Sequence, residues 1–84
     1  MNDLSIPTVY ADFNNLDQSG FLRLNTAGTR DDLLRLQLEL EVGLELHFTD
    51  GELSVEGNVC EPGTEGVWRA QIDKSAIREL RPDE

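Results

Sequence analysis

The chain has 84 residues, enough for one small domain with a modest core, which we expect to be ordered over residues 8–80. Its 17 acidic and 7 basic residues give a formal net charge of −10, which disfavours nucleic acid and anionic membranes and favours a protein partner with a basic surface. A single cysteine excludes an internal disulfide framework, and residues 1–20 contain neither Lys or Arg nor an apolar run, so we expect no signal peptide, no membrane segment and a cytoplasmic location.

Two short strands are predicted before the first helix. Thr8–Phe13 alternates apolar and polar residues, as a half-buried strand does, and Phe21–Asn25 repeats the pattern over a shorter span. The connection Asn14–Gly20 is rich in turn-forming residues. We therefore predict that these two strands form a hairpin with a loose loop.

A short helix is predicted from about Arg30 to Gln37. Thr29 is a suitable N-cap, and Asp32 follows three residues later, the spacing of a capping box. Leu33 and Leu36 then face inward.

The stretch that follows is ambiguous, because every even position from Leu34 to Phe48 is apolar and no odd position is. As one strand, this stretch would be on the order of 50 Å long, more than a domain of this size supports. We interpret it as helix to about Gln37, an extended Leu38–Val42 and a bend or bulge at Gly43. The pattern alone does not decide whether Leu34–Val42 is helix or strand.

The clearest element is a β-hairpin over Val42–Cys60. Alternation continues on both sides of the Asp-Gly pair at positions 50–51, which is typical of a two-residue type I′ turn. In that register Phe48 lies opposite Leu53. The other apolar pairs of that face are Leu46 with Val55 and Leu44 with Gly57.

The last part of the chain predicts one more strand and a helical turn. Glu61–Gly66 is a turn, Val67–Ile72 is a fifth strand, and Asp73 caps a final helical turn over Lys74–Leu80. The expected fold is mainly β (α+β): a five-stranded twisted antiparallel sheet or SH3-like barrel, with a short helix between strands 2 and 3 and a C-terminal helical turn.

An alternative starts from the order strand, capped helix and LEVGLELHFTDG within Gly20–Gly51. This order resembles the swapped-hairpin dimers of bacterial transition-state regulators and antitoxins, which bind DNA through basic residues near the first strand and helix. Here that region contains Arg23, Arg30 and Arg35 among several acids. Both a monomer and a homodimer are therefore compatible with the sequence.

Several short motifs across residues 9–77 resemble a family of small bacterial proteins. The resemblance implies a compact domain and no particular activity. The motifs are Val9-Tyr10-Ala11-Asp12-Phe13-Asn14-Asn15, Arg23-Leu24-Asn25, Gly28-Thr29, Asp32-Leu33, Val55-Glu56-Gly57, Trp68, Ile72-Asp73 and Ala76-Ile77.

The main candidate binding site is a group of polar residues around the first predicted hairpin. Such residues on one outer face can bind a peptide or a small polar ligand, although asparagines in turns also satisfy backbone groups. The group consists of Tyr10, Asp12, Asn14, Asn15, Arg23 and Asn25.

Three weaker candidates are set against ordinary structural roles. Asn15–Gly20 imitates half of a calcium loop, but position 12 of that loop is Thr26, which is no bidentate ligand. His47 and Cys60 are too few for a zinc site within one chain. Glu45 and Glu56 are predicted to lie opposite each other, as in carboxylate dyads.

We assign no catalytic residue, metal or cofactor to any of these candidates. The functional expectation is a small acidic interaction or regulatory module of the cytoplasm, without enzymatic activity. A swapped-hairpin regulator is the first alternative, and a metal-dependent enzyme is the second.

Overall fold

Six strands and one α-helix follow each other along residues 6–80, the part of the chain that the computed structural model describes. The strands are β1 (Thr8–Tyr10), β2 (Leu22–Arg23), β3 (Glu45–Thr49), β4 (Leu53–Cys60), β5 (Arg69–Ile72) and β6 (Arg78–Glu79). Helix α1 covers Ala27–Leu36, and a 3₁₀ turn covers Lys74–Ala76. The ends predicted to lie beyond the ordered core, 1–7 and 81–84, fall mostly outside the described residues.

The strands form one mixed sheet in the order β1-β3-β4-β5-β2, with β6 paired to β4. The prediction of a hairpin between the first two strands is wrong. Strand β1 pairs in parallel with β3, Thr8 opposite His47, and β2 pairs with β5, Leu22 opposite Ala70. A parallel pair needs a long crossover, and β2 and α1 lie within that crossover.

The α+β class is confirmed, since the chain is mainly strand with one helix and the sheet curls into an open half-barrel. The prediction of five antiparallel strands is wrong, because the described residues form six strands and one of the pairs is parallel. The SH3-like comparison stays a prediction.

The β3–β4 hairpin is present, but its loop is longer than a two-residue turn. Thr49 pairs with Ser54, so four residues connect the two. The Asp50 carboxylate accepts hydrogen bonds from the backbone N–H groups of Glu52 (2.9 Å) and Leu53 (2.8 Å), which stabilises the loop.

The longer loop shifts the register by two residues. Phe48 therefore lies opposite Val55 rather than Leu53, and Leu46 lies opposite Gly57 rather than Val55. A shift of two keeps every side chain on its predicted face, which explains why the alternation still gives the correct core residues.

A β-bulge at Gly43 precedes β3, as predicted. The Gly43 N–H donates to the Val59 carbonyl, and the Val59 N–H donates to the Leu44 carbonyl, both at 2.8 Å. Two residues thus oppose one, and Leu44 lies opposite Val59 rather than Gly57. Gly43 has φ +92°, a conformation that favours glycine.

Helix α1 begins one turn earlier than predicted. Its N-cap is Thr26, whose Oγ1 accepts a hydrogen bond from the Thr29 N–H at 3.1 Å. Thr29 is therefore inside the helix. Asp32 belongs to no capping box, because its Oδ2 accepts the Tyr10 N–H at 2.8 Å.

The helix ends in a Schellman motif. Gln37 has φ +58°, its N–H donates to the Leu34 carbonyl, and the Leu38 N–H donates to the Leu33 carbonyl at 2.9 Å. The chain then continues without regular structure to the bulge at Gly43, which confirms a helix followed by a non-helical segment.

The core lies on the inner face of the curled sheet. Its largest fully buried apolar side chains come from four different strands, so the sheet holds the core from several sides. They are Phe48, Leu22, Leu46, Val9 and Val59. Leu33 of α1 and Trp68 pack against this core and are half-buried.

The C-terminal helical turn is shorter than predicted. Asp73 caps it as expected, accepting the Ser75 N–H at 3.0 Å, but the turn ends at Ala76. The chain then becomes extended as β6, because Arg78 pairs with Ser54 of β4. No helix in the described part of the chain is long and apolar enough to span a membrane.

Candidate functional site

Arg23 of β2 is the centre of the predicted polar site. Its Nε and Nη2 donate to the two carboxylate oxygens of Glu65, both at 2.8 Å. Its Nη1 donates to the Leu16 carbonyl (2.7 Å) and to Asn15 Oδ1 (3.3 Å). The guanidinium lowers the pKa of Glu65. Arg23 is therefore occupied by groups of its own chain.

Asn15 and Asn25 lie beside Arg23, whereas Asp12 and Asn14 belong to the turn that precedes Asn15. Asn15 Nδ2 donates to Asn25 Oδ1 at 2.8 Å, beside the contact of Asn15 with Arg23. Asp12 Oδ1 accepts the Asn14 N–H at 2.9 Å. This contact stabilises a turn, which is the alternative to ligand binding considered for these polar residues.

Tyr10 belongs to a different contact, between β1 and α1. The Thr29 hydroxyl donates to the Tyr10 carbonyl at 2.7 Å, and Asp32 accepts the Tyr10 N–H. The Tyr10 ring lies so close to Gly28 that a Cβ there would be 2.7 Å from Tyr10 Cδ2. Tyr10 thus anchors the helix to the edge of the sheet.

A second arginine, which the sequence does not single out, extends the polar group. Arg69 of β5 donates from Nη1 to Asp17 Oδ2 at 3.1 Å and lies 4.6 Å from the centre of the Phe21 ring. Asp17 Oδ1 accepts the N–H groups of Phe21 and Ser19. The Phe21 N–H, followed by Arg69, lowers the pKa of Asp17.

These contacts explain Asn15–Gly20 as a turn stabilised by Asp17, in which both carboxylate oxygens are used. Among the described residues, no group of three His, Cys, Asp or Glu side chains is placed to hold a metal ion. An open groove of about 350 Å³ lies between residues 17–19 and 63–65. A ligand entering it would meet Arg69, which is already paired with Asp17, and Glu65, which is already paired with Arg23.

The outer face of β3 and β4 carries the remaining candidates. His47 pairs with Glu56, with Nε2 and Oε2 3.0 Å apart. Glu45 lies opposite Asn58, so the predicted Glu45–Glu56 pair is wrong. Cys60 lies four residues beyond Glu56 on β4, about 13 Å along the strand, so β4 does not bring it to His47.

The two most exposed large apolar side chains of the described residues, Leu34 and Val42, lie in the segment whose structure the sequence pattern left ambiguous. Leu34 is 77% exposed and Val42 is 63% exposed, with Leu36 at 36%. Leu38 and Leu40 lie between them and are half-buried. We call these five side chains the leucine surface.

The backbone explains why this segment is left uncovered. With a helical period of 3.6 residues, Leu33 packs inward, and its neighbour Leu34 points about 100° away. The Schellman motif and the bulge at Gly43 then interrupt the alternating segment, so that only some of its apolar side chains pack against the core.

A shallow groove lies beside the leucine surface. It has a volume of about 240 Å³, and its lining includes Leu33, Leu40, Val67 and Trp68, together with Arg30, its only charged lining residue. Leu33 and Leu40 connect the groove to the segment that carries the exposed leucines. Aromatic and aliphatic side chains in an open groove are typical of protein-binding sites.

Comparison of the chain with protein-family models, with curated proteins and with solved structures gives no match. The resemblance to a family of small bacterial proteins therefore stays a prediction.

Proposed function

We propose that this protein is a small interaction module that binds another protein through the leucine surface and has no enzymatic activity of its own. The exposure of Leu34 and Val42 carries the proposal, because apolar side chains exposed to this degree within one short segment favour a surface that a partner covers. The high negative charge keeps such a surface soluble. A cytoplasmic location is part of the proposal and is supported by the single cysteine.

The polar group around Arg23 supports this choice by its own chemistry. Its arginines are neutralised by Glu65 and Asp17. Such contacts hold the loops 12–20 and 61–66 on the sheet. We therefore assign the group a structural role and place binding at the leucine surface.

A DNA-binding regulator is less well supported by the same contacts. Arg23 is paired with Glu65, and Arg35 is paired with Asp32 at 3.0 Å, so two of the three arginines of that region face carboxylates. Neutralised arginines give little attraction to phosphate.

The test is affinity capture with a pair of matched variants. Immobilised wild-type protein, the double variant Leu34→Gln/Val42→Thr and the control Leu80→Gln are exposed to the same lysate. Leu80 is also apolar and 43% exposed but lies outside the leucine surface. We expect the same partners with wild type and control, and their loss with the double variant.

All three proteins are first compared by urea unfolding. Exposed positions change the free energy of unfolding by about 0.5 kcal/mol or less, so a lost partner then reports binding rather than misfolding. Partners that stay bound to the double variant would contradict the proposal.

A further inference from the structure

Two polar side chains line the groove at Trp68 close to the start of α1. The N-cap of the helix is Thr26, so Asn25 directly precedes the cap and Arg30 is the fourth residue of the helix. Side chains at these two positions are neighbours across a helix start, where apolar pairs often contact each other. Here both side chains are polar, and both residues are exposed.

The Arg30 guanidinium has no carboxylate partner within residues 6–80. The ion pairs of that part of the chain involve Arg23, Arg35, His47 and Arg69. Arg30 is also the only charged residue that lines the groove. An arginine without a counter-ion is a strong donor to a carboxylate, so the charge of the groove favours an anion.

The amide of Asn25 is oriented by a chain of hydrogen bonds that begins at Arg23. The guanidinium has only donors, so Asn15 Oδ1, 3.3 Å from Arg23 Nη1, is the acceptor. Asn15 Nδ2 is then the donor to Asn25 Oδ1, at 2.8 Å. The Nδ2 group of Asn25 keeps its N–H donors and finds no acceptor among the described residues. Asn25 thus offers a ligand donors, as Arg30 does.

The remaining side chains of the groove are apolar. They belong to Leu24, Leu33, Leu40, Val67 and Trp68. The groove volume of about 240 Å³ lies just below the usual range for drug-sized ligands, about 300–1,000 Å³, so the groove fits a smaller molecule.

We propose that this groove binds a small organic carboxylate with an apolar body. The carboxylate accepts hydrogen bonds from Arg30 and from Asn25 Nδ2, and the body packs against Trp68. A few polar groups beside an apolar concave surface are the usual composition of a small-molecule site. The inference goes beyond the proposed function, because Leu34 and Val42 do not line the groove.

The negative charge of the whole chain lowers the affinity for an anion without abolishing it. At an ionic strength of about 0.15 M, exposed charges more than about 8 Å apart are largely screened. The acid next to Arg30 in sequence is Asp31, which lies about 100° further round the helix. For a ligand of about ten non-hydrogen atoms, we expect a Kd on the order of 1 mM.

The probe is phenylacetate, and two related compounds separate its parts. Phenylacetamide has the same shape without the charge, and acetate has the charge without the apolar body. Trp68 is the only tryptophan of the chain, so its indole N–H gives a single identifiable signal in the NMR spectrum. We expect phenylacetate to shift this signal saturably and to bind at least about fivefold more tightly than either related compound.

Two pairs of variants locate the contact. Arg30→Gln and Arg78→Gln change the net charge equally, but Arg78 belongs to β6 and does not line this groove. Asn25→Asp keeps an oxygen for Asn15 Nδ2 and replaces the free donors by a carboxylate, and Gln71→Glu in β5 is its control. We expect Arg30→Gln and Asn25→Asp to weaken phenylacetate binding about fivefold or more, and the controls to weaken it less than about twofold.

Urea unfolding first establishes that all four variants are folded, as expected at exposed positions. A Trp68 signal that does not shift at about 10 mM phenylacetate would overturn the inference. Equal affinity for phenylacetamide would also overturn it, since the arginine would then not bind the carboxylate. So would equal losses in Arg30→Gln and Arg78→Gln, because only net charge would matter. None of these outcomes changes the capture experiment with Leu34→Gln/Val42→Thr, which tests the proposed function separately.

Discussion

Gln37 is the only non-glycine residue in the described part of the chain with a positive φ, +58°. It ends α1 in the left-handed conformation that the Schellman motif requires. An L-residue with a side chain is strained there, whereas glycine is not. The helix end therefore contains a residue that is unfavourable for its position.

Gln37→Gly should raise the free energy of unfolding by about 0.5–1 kcal/mol, since the relief of left-handed strain exceeds the added entropy of the unfolded chain. Urea unfolding measures this change. Gln37→Ala keeps a Cβ and serves as the control, for which we expect no gain. Equal stability of the two variants would contradict the strain argument.

Gly57 permits the close approach of β4 and β5. A Cβ at this position would lie 2.7 Å from the Gln71 carbonyl oxygen and 2.8 Å from Ile72 Cγ2. The first of these atoms is backbone in the neighbouring strand, so it cannot move without disturbing the pairing.

Gly57→Ala should therefore lower the free energy of unfolding by about 1–3 kcal/mol, the usual effect of overpacking a core. Asn58→Ala is an exposed neighbour in the same strand, with an expected effect of about 0.5 kcal/mol or less. Thermal or urea unfolding distinguishes the two, and a neutral Gly57→Ala would mean that the strands can separate slightly.

The candidate site shows what residue types alone can predict. Asn15, Arg23 and Asn25 are close in sequence and are brought together. Glu65, which occupies Arg23, lies 42 residues away, and nothing local marks it as a partner. The leucine surface was missed for a similar reason, because its exposure depends on where the helix ends.

At the scale of elements, α1 protects the edge of β1. The Thr29 side chain is fully buried. Its hydroxyl donates to the Tyr10 carbonyl and lies 2.7 Å from the Thr26 hydroxyl. Because the Thr29 proton is used on Tyr10, the Thr26 hydroxyl is the donor of the second contact. Asp32 accepts the Tyr10 N–H, so side chains of the helix form hydrogen bonds with both backbone groups of Tyr10 at this edge.

Thr29→Val removes the hydroxyl but keeps the shape of the side chain. It should lower the free energy of unfolding by about 1–3 kcal/mol, because the Tyr10 carbonyl loses its donor and the fully buried side chain loses its hydroxyl contacts. Thr64→Val, at an exposed loop position, should change it by about 0.5 kcal/mol or less. Similar values in urea unfolding would show that water replaces the hydroxyl.

The strands and the helix also show why the sequence predicts which side chains face the core better than it predicts which strands or side chains pair with each other. Alternation gives the inward side of β3 and β4 correctly, but it is unchanged by the two-residue shift that the four-residue loop introduces. Thr26 and Thr29 are the same residue type, so the sequence does not show which of them is the N-cap. Asp32 has the spacing of a capping box from Thr29, but its carboxylate accepts the Tyr10 N–H instead. The parallel pairing of β1 with β3 has no local signal.

At the scale of the whole molecule, several carboxylates stabilise loops and turns. Each has a pKa below its ordinary value because it accepts hydrogen bonds in the folded chain. They are Asp17, bonded to the Phe21 N–H, Asp32 to Arg35, Asp50 to the Leu53 N–H, Glu65 to Arg23 and Asp73 to Ser75.

A depressed pKa gives a defined dependence of stability on pH. The contribution is fully present above the pKa of the unfolded chain and is lost as the pH falls through the lower folded value, so we expect the free energy of unfolding to fall between about pH 5 and pH 3. Asp17→Asn should be less stable than wild type at neutral pH. The difference should shrink as the pH falls over this range, as urea unfolding at several pH values can measure. A difference that stays constant with pH would contradict this account.

The order of the strands has a further consequence for how the chain acquires its fold. The two strands that come first, β1 and β2, lie at opposite ends of the path β1-β3-β4-β5-β2 and pair with segments about 40 to 50 residues later. On the ribosome, neither has a partner in the sheet until β3, and then β5, has been synthesised. Strands β4 and β5 are also close in sequence, with Cys60 opposite Arg69, but the β3–β4 hairpin has the shortest connection of the paired strands described. We therefore expect this hairpin to form first during folding. Strands β1 and β2 can pair only after the later half of the chain is present, and their pairing completes the sheet around the core.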